Sequence, residues 1–131
     1  MPLARRFARI TGIDANRAAL DYAQRNLSDA GLSNATFECA RVGDYLSSHA
    51  QELLPADFLL LDPPRAGAEP QAIGGILALS PQRITYVSCD PATLARDLKE
   101  LMNGGYYLDS LAAFDMFPQT HHVETVVKLK R

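Results

Sequence analysis

The 131-residue sequence predicts one α/β domain around a mostly parallel sheet, with an antiparallel strand at its C-terminal end. Strand-like and helix-like segments alternate along the chain, the pattern of parallel strands joined by helical crossovers. The last two strand-like segments follow one another with no helix between them, which predicts that they pair antiparallel. Length agrees: 131 residues suffice for one hydrophobic core and leave no room for a second. Hydrophobic residues at 47% and charged residues at 21% are ordinary for a soluble globular chain, so neither a disordered nor a fibrous class is indicated.

Taken in order, Arg9–Asp14 is a short apolar run closed by an acid, a strand pattern. From Ala15 to Ala30, the residues Ala18, Ala19, Tyr22, Ala23 and Leu27 recur at helical spacing, and Gly31 stops the helix. Asn34–Ala40 alternates Ala35, Phe37 and Cys39 against Thr36 and Glu38; this strand's inner face makes Cys39 a buried structural thiol. Tyr45–Leu53 reads as a short helix. Ala56–Asp62 (A-D-F-L-L-L-D) is a buried strand closed by Pro63-Pro64, and Glu69–Leu79 is a helix weakened by Gly74-Gly75. Arg83–Ser88 is another buried strand. Asp90 then caps a helix that Pro91 opens, running to Met102 and ending at Asn103-Gly104-Gly105. Tyr106–Phe114 and Val123–Leu129 are the last two strands.

Several classes are excluded early. No apolar run approaches the roughly 20 residues of a membrane span, so no membrane partner is expected. The basic start, Met1-Pro2-Leu3-Ala4-Arg5-Arg6, has no apolar stretch behind it and is no secretory signal. The two cysteines, 50 positions apart, make neither a metal cluster nor a disulfide framework, and the compartment is read as cytoplasmic. The net charge of −2 lacks the basic surplus of most nucleic-acid-binding domains, so if RNA is bound, most phosphate contacts come from elsewhere.

In open sheets of this kind ligands bind beyond the carboxyl ends of the strands, and the chemistry-bearing residues collect there. Asp14 ends the first strand, where a carboxylate either accepts ribose hydroxyls or caps the following helix. Asp44 follows the second strand, where an adenine contact or a plain solvated carboxylate is expected. Asp62 opens D-P-P-R-A-G, a loop stiffened by two prolines without N–H groups, which holds the carboxylate at a strand tip to bind an imide N–H or a ligand amine, or simply forms a turn. Cys89 lies at a strand end and a helix start. There the helix N-terminus favours a thiolate nucleophile, against the reading of a buried structural cysteine. His121 and His122 are adjacent on an extended chain and point opposite ways, so no metal site is expected. Glu124 begins an otherwise apolar strand, either as an exposed alternate position or as a base at the pocket rim.

Three segments, in this order, resemble the RNA uracil-5-methyltransferase family: L-L-L-D-P-P-R-A-G at Leu59–Gly67, Y-V-S-C-D-P-A-T-L-A-R-D at Tyr86–Asp97, and F-D-M-F-P-Q-T-H-H-V-E at Phe114–Glu124. The likeness covers nearly the whole chain. A-T-L-A-R-D and D-M-F-P bring it nearest the bacterial 23S rRNA branch, while Asp90 departs from the asparagine the family commonly carries. The resemblance implies a Rossmann-like class I methyltransferase sheet and S-adenosyl-L-methionine as cofactor. It also implies an RNA substrate, rRNA or tRNA, methylated at C5 of a uridine. By motif position, Cys89 would add to C6 of the uracil and Glu124 would remove the C5 proton. Asp62 would hold the uracil edge or lie against the cofactor, and Asp14 would bind the cofactor ribose. The target base must also leave any stack to reach Cys89.

The same resemblance implies missing parts. Only nine residues precede Ile10, so residues 1–131 are expected to be the C-terminal part of a methyltransferase domain, lacking the first strand, the glycine-rich cofactor loop and the RNA-binding domains. Leu3–Ala8 is expected to be the tail of the helix after that loop. The absent strand would lie between those ending at Asp14 and Asp62. Either these two strands close on each other, or a second chain fills the gap by self-association through the exposed edges. Cofactor binding and activity of the chain alone are expected to be weak or lost. Two other readings stand beside this one: a related α/β methyltransferase with a different substrate, needing no cysteine nucleophile, and a non-catalytic RNA- or partner-binding module relying on Arg65, Arg96 and Lys128.

Overall fold

The computed structural model describes residues 2–116, 118–119 and 123–131. After a short 3-10 turn at Leu3–Arg5 come β1 (Ile10–Asp14), α1 (Arg17–Asp29), β2 (Ala35–Cys39) and α2 (Val42–His49), the last extended by a 3-10 turn at Ala50–Leu53. Then follow β3 (Phe58–Leu61), α3 (Pro70–Leu79), β4 (Arg83–Ser88), α4 (Pro91–Asn103), β5 (Tyr107–Phe114) and β6 (Glu124–Lys130). Parallel pairing joins β1 to β2 and β3 to β4, whereas β6 lies between β4 and β5 and is antiparallel to both. The expected α/β class is therefore observed, including the antiparallel C-terminal strand.

The core lies on one side of the β3-β4-β6-β5 sheet. Along β4, Ile84, Tyr86 and Ser88 are buried while Thr85 and Val87 are not; along β6, Thr125, Val127 and Leu129 are buried while Lys128 is exposed. This period-2 alternation sends one set of side chains against Ile73, Ile76 and Leu79 of α3 and Leu94 and Leu101 of α4. The β1-α1-β2 unit is thinner. In α1 only Leu20 and Leu27 are buried, and no residue of β1 or β2 is. Asn34 donates to the carbonyls of Ala4 and Phe7 at 2.8 and 2.7 Å, tying the N-terminal turn to the entrance of β2.

The structure corrects several expectations. Cys39 is exposed: β2 is an edge strand, and at its tip the alternation fails because no element covers it. The helix expected at Tyr45–Leu53 begins three residues earlier, at Val42, and its last four residues form a 3-10 turn. The Leu3–Ala8 segment is helical only as the single turn Leu3–Arg5. α3 runs unbroken through Gly74-Gly75, and Gly75 has a packing reason: a Cβ there would sit 2.6 Å from Cβ of Leu46, so its absence lets α2 approach α3. Of the two outcomes expected at the gap, closure of β1 on β3 is not observed. Among the described residues no backbone hydrogen bond joins them, and their facing edges flank one cavity. Phe7 stacks on Phe58 (centroids 5.3 Å apart) where the two strands begin.

α4 is capped as expected. Asp90 accepts from the N–H groups of Ala92 and Thr93, both at 3.0 Å, and Arg65 Nε lies 3.5 Å from its other oxygen. The Thr93 N–H, then the Ala92 N–H and the Arg65 guanidinium, hold the Asp90 carboxyl below its ordinary value of 3.8 against the opposing effect of desolvation.

Two outcomes follow from these contacts. In urea unfolding, Gly75→Ala is expected to lose about 1–3 kcal/mol by overpacking, whereas Gly74→Ala, whose Cβ meets nothing within 4 Å, is expected to gain roughly 0.5–1 kcal/mol. For Asp90, a lowered folded-state value means a contribution present above the ordinary value and lost as pH falls through the lowered one. Thermal melts should show wild type more stable than Asp90→Asn at neutral pH, with the gap closing as pH drops below 3.8; a gap unchanged by pH would refute this account.

Candidate active site

The strand tips supply the candidate residues. At the end of β1, Asp14 is exposed, and its Oδ1 accepts from the Asn16 N–H at 2.7 Å. The cap of α1 is Asn16, whose side chain accepts from the Ala19 N–H at 3.2 Å. Asp14 is therefore not the helix cap, and among the described residues its second carboxylate oxygen has no hydrogen-bond partner. Asp62, one residue past β3, is also exposed, and both aspartates line the cavity of about 900 Å³ between the two sheets. Ala15, Arg41, Pro63 and Glu69 line it as well, with an apolar floor that includes Leu46, Leu61 and Ile76. Asp44 stands apart. Because α2 starts early, Asp44 sits exposed in that helix's first turn and does not line the cavity.

Cys89 and Glu124 lie elsewhere on the same edge. The β4–β6 register ends with Ser88 paired to Thr125; Cys89 follows Ser88 and Glu124 precedes Thr125, so extending the register by one step would bring the two residues opposite each other. Directly opposed residues of an antiparallel pair share a face, with Cβ atoms typically about 4.5–5.5 Å apart. Both residues are half-buried, so the sulfur is neither sealed in the core nor stranded in solvent. The parallel register pairs Leu61 with Tyr86, and one step further Asp62 falls beside Val87, on the face that Cys89 and Glu124 share. This is the face that α3 and α4 leave uncovered. After Cys89, α4 begins within two residues.

A buried tether that sequence reasoning missed joins the two rims. Asp97 of α4 is 2% exposed and accepts from the Ala68 N–H at 2.7 Å, the Tyr86 hydroxyl at 2.5 Å and Arg96 Nε at 2.8 Å. Arg96 Nη2 reaches the carbonyls of Ala66 and Ala68 at 3.1 and 3.2 Å, and the Thr93 hydroxyl donates to the Arg65 carbonyl at 3.1 Å. Burial together with the Asp97 hydrogen bond and charge raises the Tyr86 phenol far above its usual range. A signal was present: Asp97 lies on the apolar stripe of Leu94, Leu98 and Leu101, where a carboxylate is costly unless it is bonded. Of the basic residues considered for partner binding, Arg96 is engaged by this loop, Arg65 lies near Asp90, and Lys128 is exposed on the uncovered face.

Among the described residues no cluster of three metal-ligating side chains occurs, and no helix is long and apolar enough to cross a membrane. His121 and His122, with Phe117 and Thr120 of the same motif, lie outside the described residues.

Comparison with known proteins gives a consistent result. The tRNA (uracil-5-)-methyltransferase family matches residues 1–131. An uncharacterized RNA methyltransferase of Gloeobacter violaceus is 42% identical, over 100% of this chain and 28% of its own length. A 23S rRNA (uracil(1939)-C(5))-methyltransferase of Klebsiella pneumoniae is 41% identical, over 100% of this chain and 30% of its own. The crystal structure of Pyrococcus abyssi tRNA (uracil-54, C5)-methyltransferase, in complex with S-adenosyl-L-homocysteine, superposes with a TM-score of 0.78 at 39% identity, covering 97% of this chain and 30% of that one. An rRNA methylase of Streptococcus thermophilus, at 16% identity and a TM-score of 0.69, shares the Rossmann-like methyltransferase fold alone. The chain thus spans roughly 30% of the length of such relatives. With its full length matched, the chain belongs to the tRNA (uracil-5-)-methyltransferase family.

Proposed function

We propose that this chain carries the nucleophile and base of an enzyme that methylates C5 of a uridine in RNA, with 23S rRNA the first substrate to assay and tRNA the second. The observation that carries the reading is the Ser88–Thr125 pair that closes the β4–β6 register, with Cys89 and Glu124 the next residue on either side. Uracil C5 is a poor nucleophile, and a soft anion added at C6 makes it a good one. The Cys89 thiolate forms the S–C6 bond and pushes the C5=C6 electron pair towards C5 and the C4 carbonyl. C5 then takes the methyl group. Glu124 removes the proton left on C5, and those electrons re-form C5=C6 as the S–C6 bond breaks, returning the thiolate. Asp62, exposed at the tip of the neighbouring strand, is suited to accept a hydrogen bond from the uracil N3–H.

The residues present also fit S-adenosyl-L-methionine. Asp14 offers an unused carboxylate oxygen at the lip of a cavity large enough for a nucleoside, in the position where such sheets bind a ribose, and Asp62 faces the same space. When bound, the cofactor supplies an electrophilic methyl group. Asp44 is proposed as a further cofactor contact, although in this structure it lies outside the cavity lining. The unpaired edges of β1 and β3 support a domain completed by polypeptide beyond residues 1–131, with cofactor affinity and activity weak until it is complete.

In the full-length protein, 5-fluorouridine RNA and S-adenosyl-L-methionine should give a denaturant-stable adduct that maps to Cys89. Cys89→Ala should abolish the adduct and cut methylation by about 10³-fold or more. Glu124→Gln should methylate yet release slowly, so that covalent complex accumulates on ordinary uridine RNA. Methylation at wild-type rate in Cys89→Ala would instead favour a methyltransferase with another substrate. For the 131-residue chain alone, calorimetric titration with S-adenosylhomocysteine should show little or no heat, and binding in the micromolar range would refute the incomplete-domain reading.

A further inference from the structure

We propose that Asp97, assisted by Arg96, is a positioning residue for the methyl transfer argued above: it holds the Asp62 loop in a fixed place against the helix that starts behind Cys89. The inference rests on that functional reading and concerns residues to which the chemistry itself assigns no role.

Position and bonding single Asp97 out. The other members of its helical stripe are leucines, which pack against the core and need no partner. A carboxylate buried to 2% exposure costs stability unless its oxygens are bonded, so a site with only a packing role would be served better by another leucine. Asp97 takes one bond from the core, the Tyr86 hydroxyl at 2.5 Å, and its remaining bonds connect it to the loop, directly or through Arg96. Its Oδ2 takes the Ala68 N–H, its Oδ1 takes Arg96, and Arg96 in turn holds the carbonyls of Ala66 and Ala68. The loop is seated directly on these two side chains. At Gly67, where φ is +81°, a Cβ would lie 2.5 Å from Arg96 Nη2 and 2.7 Å from Asp97 Oδ2. Between this anchor and Asp62, the Pro63-Pro64 pair has fixed φ angles, and the Gly67 N–H closes a turn onto the Pro64 carbonyl at 2.8 Å. The tether therefore acts at the carboxylate through a stiff connection. At its other end α4 begins two residues after Cys89. The separation of Asp62 from the sulfur is set by this network as well as by the sheet. Where one group holds the edge of a ring and the other attacks that ring, a slip of about 1 Å can cost ~100-fold in rate.

The test measures single-turnover methyl transfer at saturating cofactor and RNA in the full-length protein. Alongside it run the alkylation rate of Cys89 by iodoacetamide, read on the Cys89 peptide by mass spectrometry, and the thermal midpoint. Asp97→Asn is expected to slow methyl transfer by about 30-fold or more while Cys89 alkylation stays within about twofold of wild type. Arg96→Gln removes the loop-carbonyl bonds but leaves Asp97 with Tyr86 and Ala68. It is expected to slow transfer by about three- to tenfold, and it decides the matter if Asp97→Asn does not fold. Ile84→Val, a core truncation away from the loop, is expected to lower the midpoint and leave transfer unchanged. Wild-type transfer rates in both loop variants would overturn the proposal. So would a loss that tracks the thermal midpoint equally in Ile84→Val, or alkylation falling in step with transfer. Absence of methyl transfer in the wild type itself would sink the functional reading and this inference together, whereas active wild type with unaffected variants would sink the positioning role alone.

Discussion

The direction of β6 is the constraint on which the rest depends. In a purely parallel sheet every strand presents its last residues at the functional edge, so a residue that starts a strand lies at the opposite end. Because β6 runs antiparallel between β4 and β5, its first residue arrives beside the last residue of β4. A carboxylate that begins one strand thereby comes to the same edge as the thiol that follows the end of another, without any loop having to fold back. The burial of Val127 and Leu129 against Ile84 and Tyr86 locks this register, since a one-residue slip would send β6's apolar side chains to the wrong face.

Around this pair the structure is unevenly anchored. The Cys89 side rests on the main core and on a helix with a bonded cap, and the Asp62 loop is fastened to that same helix by buried polar groups. The Asp14 side rests on a two-stranded parallel unit whose strands contribute no buried residue. Parallel strands normally gain their stability by being covered on both faces, and β1 and β2 are not.

Much of this could be read from the chain alone. The strand β4 and the helix α4 were legible because apolar periodicity, the cap at Asp90 and the terminal glycines agree with one another. The grouping of Asp14, Asp62, Cys89 and Glu124 at strand tips was legible from the same periodicity. What escaped depended on three-dimensional neighbours. Cys39 alternates like a core residue, yet nothing covers the tip of its strand. Gly75 looks like a weak point in a helix and is instead the place where a second helix comes close. The bonding of Asp97 is visible only when α4 lies against a loop 29 residues earlier.

The division of the strands into two sheets has a thermodynamic consequence. The two aspartates at the cavity lip belong to sheets that share no backbone hydrogen bond among the described residues, so their spacing is not enforced by a continuous ladder. A small molecule that grips both must select arrangements in which the sheets stand at the correct distance, and its apparent affinity is reduced by the fraction of time they do. Anything that bridged β1 and β3 would remove that reduction without touching the ligand, so bridging of the two sheets and occupancy of the pocket would be coupled, each favouring the other.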